Sequence, residues 1–372
     1  MPKKILSFLL FLAVLFCFAS CTLKKPDEEV SSFVSEPTSS EPAESSSEPG
    51  TESKTMTVHY MDVGQGDSMF IEFPDGKTML MDGGEVDMGD RVVSYIRSLG
   101  VKKIDYMVAT HPHTDHIGGL RKVINAFSVG AFYMPDLEGT TSTYGKLLSA
   151  VDQKKIPAHE IKKGVEIPTD GSYTIRFLAP STIFEDDLNN CSAVTMIQYG
   201  NTKFLFMGDA GAVEEMTLSG DLDCDVLKVG HHGSYSSSGM EFLARTSPSY
   251  AVISCGVGND YGHPHEESLM RVTATGAHVF RTDRNGNIII TSDGKNITAT
   301  ADRNTEDSDP GFYDVEGDWI LNVNSKKIHC PDCEGVADIS NKNRKEVHCK
   351  LSELFAQGYT ACQTCKPGEG KE

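Results

Sequence analysis

Between Val108 and Val123 the chain reads VATHPHTDHIGGLRKV, and four metal-ligand side chains, His111, His113, Asp115 and His116, fall within six positions. His111 and His113 are two apart on a segment leaving a strand, so their side chains can point the same way. Pro112 between them restrains His111 to an extended conformation. Neutral imidazole and carboxylate together are the ligand set of a zinc-like divalent ion. A lone histidine reads as a satisfied core or surface residue; four ligand-type residues at this spacing do not.

The flanking sequence supplies elements to hold such a cluster. MTVHYMDVG is rich in β-branched and aromatic residues, and MFIEF, PDGK and TMLMDGG read as a hairpin. DMGDRVVSYIRSLG repeats apolar residues at helical spacing, at Val92, Val93, Ile96 and Leu99, and stops at Gly100. IDYMVATH is a buried strand running into the histidines, and GGLRKVINAF a helix leaving them. CSAVTMIQYGNTKFLFMGD is a second hairpin with GN at its turn. DVLKVG and YAVISCG are short buried strands, each followed by a loop rich in His, Gly or Asn, and GNIIITSDGKNITAT closes the segment as β structure. Mixed strands and helices without a GxGxxG at the first turn argue for an α/β fold with functional loops at strand ends, and against a nucleotide-binding doubly wound domain.

The 372 residues suffice for one large domain or two smaller ones, and their formal net charge of −19 gives no global basic field for nucleic acid. That charge divides into −3 for residues 1–56, −5 for 301–316, zero for 317–372 and −11 for the middle. Lys3 and Lys4 precede an apolar stretch from Ile5 to Phe18, a signal-peptide pattern. Its FASC ending resembles a bacterial lipobox, with cleavage before a lipidated Cys21; an ordinary secretory signal or an uncleaved anchor helix are the alternatives. All three place the body outside the cytoplasm, and the first places it on the extracellular face of the cytoplasmic membrane. Residues 21–54, dominated by Ser, Glu and Pro, read as a disordered tether. A body follows over 55–300, an acidic linker over 301–316 and a cysteine-rich tail over 317–372.

HPHTDH matches the HxHxDH motif of the metallo-β-lactamase superfamily. Taken with YMDVGQGDSMFIEFPDGKTMLMDGG, NNCSAVTMIQYGNTKFLFMGD, DVLKVGHHGSYSSS and CGVGNDYGHPH, it resembles the extracellular hydrolase domain of the competence protein ComEC over roughly residues 56–300. The resemblance implies a four-layer αβ/βα sandwich with two divalent metal ions, Zn or Mn. It places His111 and His113 on the first, Asp115 and His116 on the second, and Asp209 between them. The histidine usual as a third ligand of the first metal is replaced by Asn189 and Asn190. Of His231 and His232, the first is assigned to a metal and the second to the substrate side, with His263 as a further ligand or a leaving-group contact. Asp82 and Asn190 are expected behind the ligands. Lys228 is expected to contact phosphate or to point to solvent, Asp62 and Asp67 to shape the rim, and His265 to lie on the surface. His159 is not expected to ligate.

In the tail, His329 and Cys333 form an HxxxC, and Cys362 and Cys365 a CxxC. These four residues suit one structural Zn. The segment resembles the metal-binding domain of the Ada DNA-repair protein, and so short a domain needs a staple. Disulfides are the alternative outside the cytoplasm. Cys191, Cys224 and Cys255 read as buried thiols.

Two metals suit hydrolysis of a phosphodiester, DNA among the candidates. A choline-phosphate or cell-wall polymer esterase is the rival, and a non-catalytic binding protein the third reading. Membrane attachment has its own test. Cys21→Ala should release the chain from the membrane fraction or leave its signal uncleaved, because stable anchoring needs the two acyl chains of a diacylglycerol. Normal processing with unchanged membrane fractionation would exclude a lipid anchor.

Overall fold

The computed structural model describes residues 55–184, 186–303, 316–362, 364, 365 and 367. The signal segment, Cys21, the 21–54 tether and residues 304–315 of the acidic linker lie outside them. Among the described residues no helix is long and apolar enough to cross a membrane.

The body opens with β1 (Met56–Tyr60), β2 (Met69–Glu72), β3 (Thr78–Met81), β4 (Lys103–Val108), β5 (Ser128–Pro135) and β6 (Ala158–Ile161). A second set follows: β7 (Glu166–Ile167), β8 (Tyr173–Phe177), β9 (Thr195–Tyr199), β10 (Thr202–Phe206), β11 (Val226–Lys228), β12 (Tyr250–Ile253) and β13 (His278–Arg281). The chain then returns to the first sheet as β14 (Ile288–Ser292) and β15 (Ile297–Ala301), giving the order β15-β14-β1-β2-β3-β4-β5-β6. The second sheet runs β13-β12-β11-β10-β9-β8-β7.

The central strands are buried on both faces, and the side-chain period of two sorts their residues. Along β10, Phe204 and Phe206 enter the core between the sheets, where Tyr60, Tyr173 and Phe177 also lie, and Leu205 points the other way. Leu205 joins Leu227, Phe242 and Leu269 beneath α6 (Met240–Thr246) and α7 (Glu266–Thr273). On the far side, Leu80 and Met107 pack against Val92 and Ile96 of α1 (Gly89–Ser98), Leu120 of α3 (Leu120–Ala126) and Leu147 of α4 (Ser142–Gln153). Helix, sheet, sheet and helix therefore stack as four layers, as the resemblance implied.

Strands β3 to β6 are parallel to one another, as are β10 to β13. Polar loops of parallel sheets collect at strand carboxyl ends. Asp82 follows β3, His111 follows β4, Asp209 follows β10, His231 follows β11 and His263 follows β12.

The tail forms its own sheet in the order β18 (Arg344–Lys350), β16 (Glu316–Asn322), β17 (Lys327–His329), β19 (Thr360–Ala361). Trp319, Leu321, Ile328, Leu351 and Leu354 make one buried cluster, and Met270 of α7 belongs to it. The tail thus packs on the body through the helix that starts three residues after His263. His329, Cys333, Cys362 and Cys365 bring one ligand atom each to within 4.8 Å of the others. The Cys333 and Cys362 sulfurs are 3.9 Å apart, far beyond an S–S bond and near the roughly 3.8 Å edge of a tetrahedron with Zn–S bonds of about 2.3 Å.

Trp319 is the one tryptophan of the chain, buried with its Nε1–H donated to the Cys349 carbonyl oxygen at 3.0 Å. Its emission therefore reports the tail alone. A strong chelator should red-shift that emission equally in the native chain and in Asp209→Ala, and Cys333→Ser should be shifted before chelator is added. An emission spectrum unmoved by chelator would refute a structural metal in the tail.

Candidate metal centre

The histidine segment is pinned from both sides before any side chain is considered. His113 is extended and His116 sits in the short helix α2 (Thr114–Ile117). The Asp67 N–H donates to the Asp115 carbonyl at 3.2 Å, and the Gly83 N–H to the His116 carbonyl at 2.7 Å. This contact needs glycine at 66, where a Cβ would collide with the Asp115 carbonyl oxygen and where φ is +130°. Gly119 is required in the same way, because a Cβ there would strike the Gly83 carbonyl.

Four ligand atoms then converge at the floor of a cleft, with His116, Asp209 and His232 buried and Asp115 partly exposed. His116 Nε2 lies 3.2 Å from Asp209 Oδ1 and 3.8 Å from Asp115 Oδ2. His232 Nε2 lies 3.3 Å from each of the same two oxygens. His116 Nε2, His232 Nε2 and Asp209 Oδ1 are buried and have no hydrogen-bond partner. A tetrahedral ion with bonds of about 2.0–2.1 Å has ligand–ligand edges of about 3.3–3.4 Å, so these atoms fit a divalent cation. The second oxygen of Asp209 faces another group. Oδ2 is 3.8 Å from His111 Nε2 and 3.8 Å from His231 Nε2, and His111 Nε2 is 3.0 Å from His113 Nδ1. One carboxylate therefore divides its oxygens between two sets of imidazoles.

Each ligand is held from behind. Asp82 Oδ2 lies 2.9 Å from His116 Nδ1, and its carboxylate accepts from the Thr110 N–H and hydroxyl at 2.9 and 2.7 Å. Asp82 itself has φ 58°, a left-handed conformation unusual outside glycine. Ser192 Oγ accepts from the Asp209 N–H at 3.0 Å and sits 3.3 Å from His111 Nδ1, joining two ligands. His231 and His232 both adopt left-handed backbone angles after β11, a strained pair that sends successive imidazoles to the two sides of Asp209.

The electrostatics follow from burial. Burial would push His116 and His232 down, but Asp209, Asp115 and their neighbours outweigh it and hold both well above the ordinary histidine value. His111 goes the other way, since burial and the neighbouring His116 push it well below. Burial would raise the Asp209 carboxyl, yet His116 and His232 hold it well below the usual range. Carboxylates that draw protons onto these imidazoles would draw a divalent cation into the protons' place.

Several expected placements are corrected. Lys228 neither contacts a phosphate nor reaches solvent: it is 0% exposed, 2.9 Å from Asp67 Oδ2, and donates to the Val229 carbonyl at 2.9 Å. Asp67 is buried rather than on the rim, with Oδ1 3.4 Å from His232 Nδ1. Burial would raise the Asp67 carboxyl, and Lys228 followed by His232 instead holds it at about 2. His231 and His232 exchange places: His232 joins the buried four-atom cluster, and His231 lies on the cleft wall. Asn190 stands behind no ligand, because its Oδ1 accepts from the Gly211 and Glu214 N–H groups at the start of α5 (Ala212–Thr217). Asn189 is the residue that reaches the site, with Nδ2 3.3 Å from His231 Nε2 and a buried Oδ1 lacking a partner. His265 is half-buried and accepts the Tyr235 N–H at 3.2 Å. Asp62 holds its own turn through the Gly64 N–H, and His159 stacks on Tyr133 away from the cluster.

The cleft over these atoms measures ≈ 360 Å³ and is walled by Gln65, Glu85, Asn189, Tyr261 and His263 beside the ligands. Residue type does not mark Gln65 and Tyr261 as site residues; the position of VGQG and YGHPH at strand ends is the one signal the sequence holds for them. Gln65 Nε2 is 3.3 Å from His263 Nδ1. Burial, with His232, His265 and His231 nearby, pushes His263 down to about 4.

A four-layer α/β sandwich carrying paired His/Asp sets at one end of both sheets defines a metal-dependent hydrolase. A model of the metallo-beta-lactamase superfamily matches residues 61–257, and the chain belongs to that superfamily. It is 30% identical over 251 residues to ComE operon protein 3 of Bacillus subtilis (strain 168), covering 62% of this chain and 32% of that protein. To competence protein ComA of Neisseria gonorrhoeae it is 32% identical over 234 residues, 62% of this chain and 31% of the relative. The chain thus spans about a third of the length of the curated relatives it matches. Among solved structures, CmlA, a diiron beta-hydroxylase from Streptomyces venezuelae, aligns at TM-score 0.43 and 16% identity over 61% of this chain and 52% of that one.

Removing Lys228 leaves Asp67 as an uncompensated buried charge. Lys228→Met should lower unfolding stability by about 3–5 kcal/mol. Adding Asp67→Leu should restore much of that stability without restoring metal affinity, since His232 has then lost a neighbour. Urea denaturation of the single and double variants, with metal titration, checks both.

Proposed function

We propose that the chain is a phosphodiesterase that uses two divalent cations, Zn or Mn, and acts on a nucleic-acid strand, DNA first among the candidates, outside the cytoplasmic membrane. The observation that carries it is the division of Asp209, with Oδ1 toward His116 and His232 and Oδ2 toward His111 and His231. His116, His232, Asp115 and Asp209 would hold one cation; His111, His113 and Asp209 would hold the other, with His231 and Asn189 beside it. Bound there, the cations supply a water deprotonated near neutral pH and neutralise charge on a phosphoryl group.

The chain's own groups complete the site. His263 is neutral at pH 7, and the Gln65 amide facing Nδ1 leaves Nε2 to carry the proton and donate it as a hydrogen bond to a substrate oxygen. Asp82, Ser192 and the Asp67–Lys228 pair fix ligand orientation. Similarity to competence proteins supports DNA over a lactam. The lipobox pattern supports a tether through Cys21, and the His329, Cys333, Cys362 and Cys365 cluster supports a structural Zn in the tail.

Asp209→Ala should abolish hydrolysis while leaving the fold intact, because both ligand sets lose their shared carboxylate. Metal content by mass spectrometry and turnover of single-stranded DNA, duplex DNA and bis-p-nitrophenyl phosphate test it. Near-native turnover by Asp209→Ala in metal-replete buffer would end the two-cation assignment.

A further inference from the structure

A row of rings starts on the cleft wall, where Tyr261 and His263 line it, and continues past the rim through His265 to Tyr235. Tyr261 lies nearly parallel to His263, with centroids 5.6 Å apart and an interplanar angle of 18°. His263 meets His265 at 5.0 Å, and His265 meets Tyr235 at 5.0 Å. Within the row His263 is 5.5 Å from His231 and 5.9 Å from His232, so the row passes beside the metal-ligand cluster. Tyr261 and Tyr235 are each 67% exposed, so both rings offer an open face.

Their backbones are fixed although the rings are bare. The Asn259 side chain donates to the His263 carbonyl at 2.6 Å and accepts the His263 N–H at 2.9 Å, closing the loop that carries Tyr261. On the other side, His265 accepts the Tyr235 N–H, and Arg271 donates to the Tyr235 carbonyl at 3.1 Å. The loops that carry the rings need no ordering on binding, which lowers the entropy cost of stacking.

Charge narrows the occupant. No Lys or Arg is among the side chains that line the cleft, and Glu85 and Asp115 add negative charge there. A polyanion tracked along many phosphates would need such cations. Aromatic faces, by contrast, hold unpaired bases of any sequence. A duplex offers few free base faces, since its bases already stack on one another.

We propose that Tyr261 and Tyr235 form a stacking platform for unpaired bases next to the scissile phosphodiester, which makes the site selective for single-stranded nucleic acid. This rests on the phosphodiesterase reading and adds the substrate class and the residues that set it. A quaternary ammonium group, as in a choline ester, would instead favour several rings converging as a cage. Here the rings follow one another in a row from the cleft to beyond its rim, with the two tyrosines at its ends.

The test uses the full metal-loaded chain. Its substrates are a six-nucleotide single strand, the same strand with tetrahydrofuran abasic residues, a blunt duplex of the same sequence, and p-nitrophenyl phosphocholine. The native chain should prefer the strand with bases over the abasic strand and over the duplex. Tyr261→Ala should reduce the base-over-abasic ratio of kcat/KM by about 5- to 150-fold, mainly through KM, the range that one stacked base is worth. Tyr261→Phe should keep the ratio. Tyr235→Ala should lower it for six nucleotides and not for two. Equal ratios in the native chain and Tyr261→Ala overturn the platform, and so does Tyr261-dependent preference for the choline ester over the strand. If the native chain hydrolyses no phosphodiester, the phosphodiesterase reading fails by itself. The platform is then decided by fluorescence anisotropy of the labelled strand, where an unchanged Kd in Tyr261→Ala refutes it. Unaltered circular dichroism and an unaltered urea-unfolding midpoint confirm that the variants are folded.

Discussion

Burial of Asp209 between two groups of imidazoles is the constraint that orders the rest. An isolated carboxylate in a dry interior costs several kcal/mol, and the same holds for each imidazole left without a partner. The seam therefore works only as a set. Asp209 needs His116 and His232 on one oxygen and His111 and His231 near the other, and those histidines need fixed tautomers. Asp82, Thr110 and Ser192 provide the orientation. Asp67 extends the set under His232, and its own charge is matched by a lysine taken wholly out of solvent. A lysine at the end of β11 thus belongs to the support of the ligands and not to the substrate.

The fold makes this convergence possible because both sheets turn the carboxyl ends of parallel strands toward one edge. Residues distant in sequence, from Asp67 to His263, reach one seam. The backbone there is not relaxed. Asp82, His231 and His232 hold left-handed angles, and such strain persists only where surrounding contacts over-determine it. Glycines at 66 and 119 let three loops approach to backbone contact. Precision at the ligands is drawn from this close packing, while the cleft wall beside them carries the exposed ring of Tyr261 on a hydrogen-bonded loop.

The tail is a separate sheet with its own ligand cluster, yet Met270 of α7 is buried among its residues. That helix follows the segment carrying His263 and His265, and Arg271 on it holds the Tyr235 loop. The tail therefore bears on the same helix that frames the aromatic wall. Its His329, Cys333 and Cys362 are buried, which suits a closed structural site rather than an open catalytic one.

Local pattern alone determined a good deal. The hairpins at 69–81 and 195–206, the helices at 89–98 and 120–126, and the strands before each polar loop all follow from periodicity and turn residues, because those preferences act over a few positions. HPHTDH marked four of the clustered side chains within one turn of chain for the same reason, while Asp209 and His232 join them from other strands, and the HxxxC and CxxC pairs marked the tail cluster. Tertiary structure decided what no short window contains. Lys228 looked like a surface or phosphate-binding lysine because its partner Asp67 is 161 positions away. Which of two adjacent histidines enters the seam depended on left-handed backbone angles set by the loops around it. Which of two adjacent asparagines caps a helix depended on where α5 begins. Pairing across distant segments fixes burial, and burial, more than residue type, decides whether a charged side chain supports, binds or reacts.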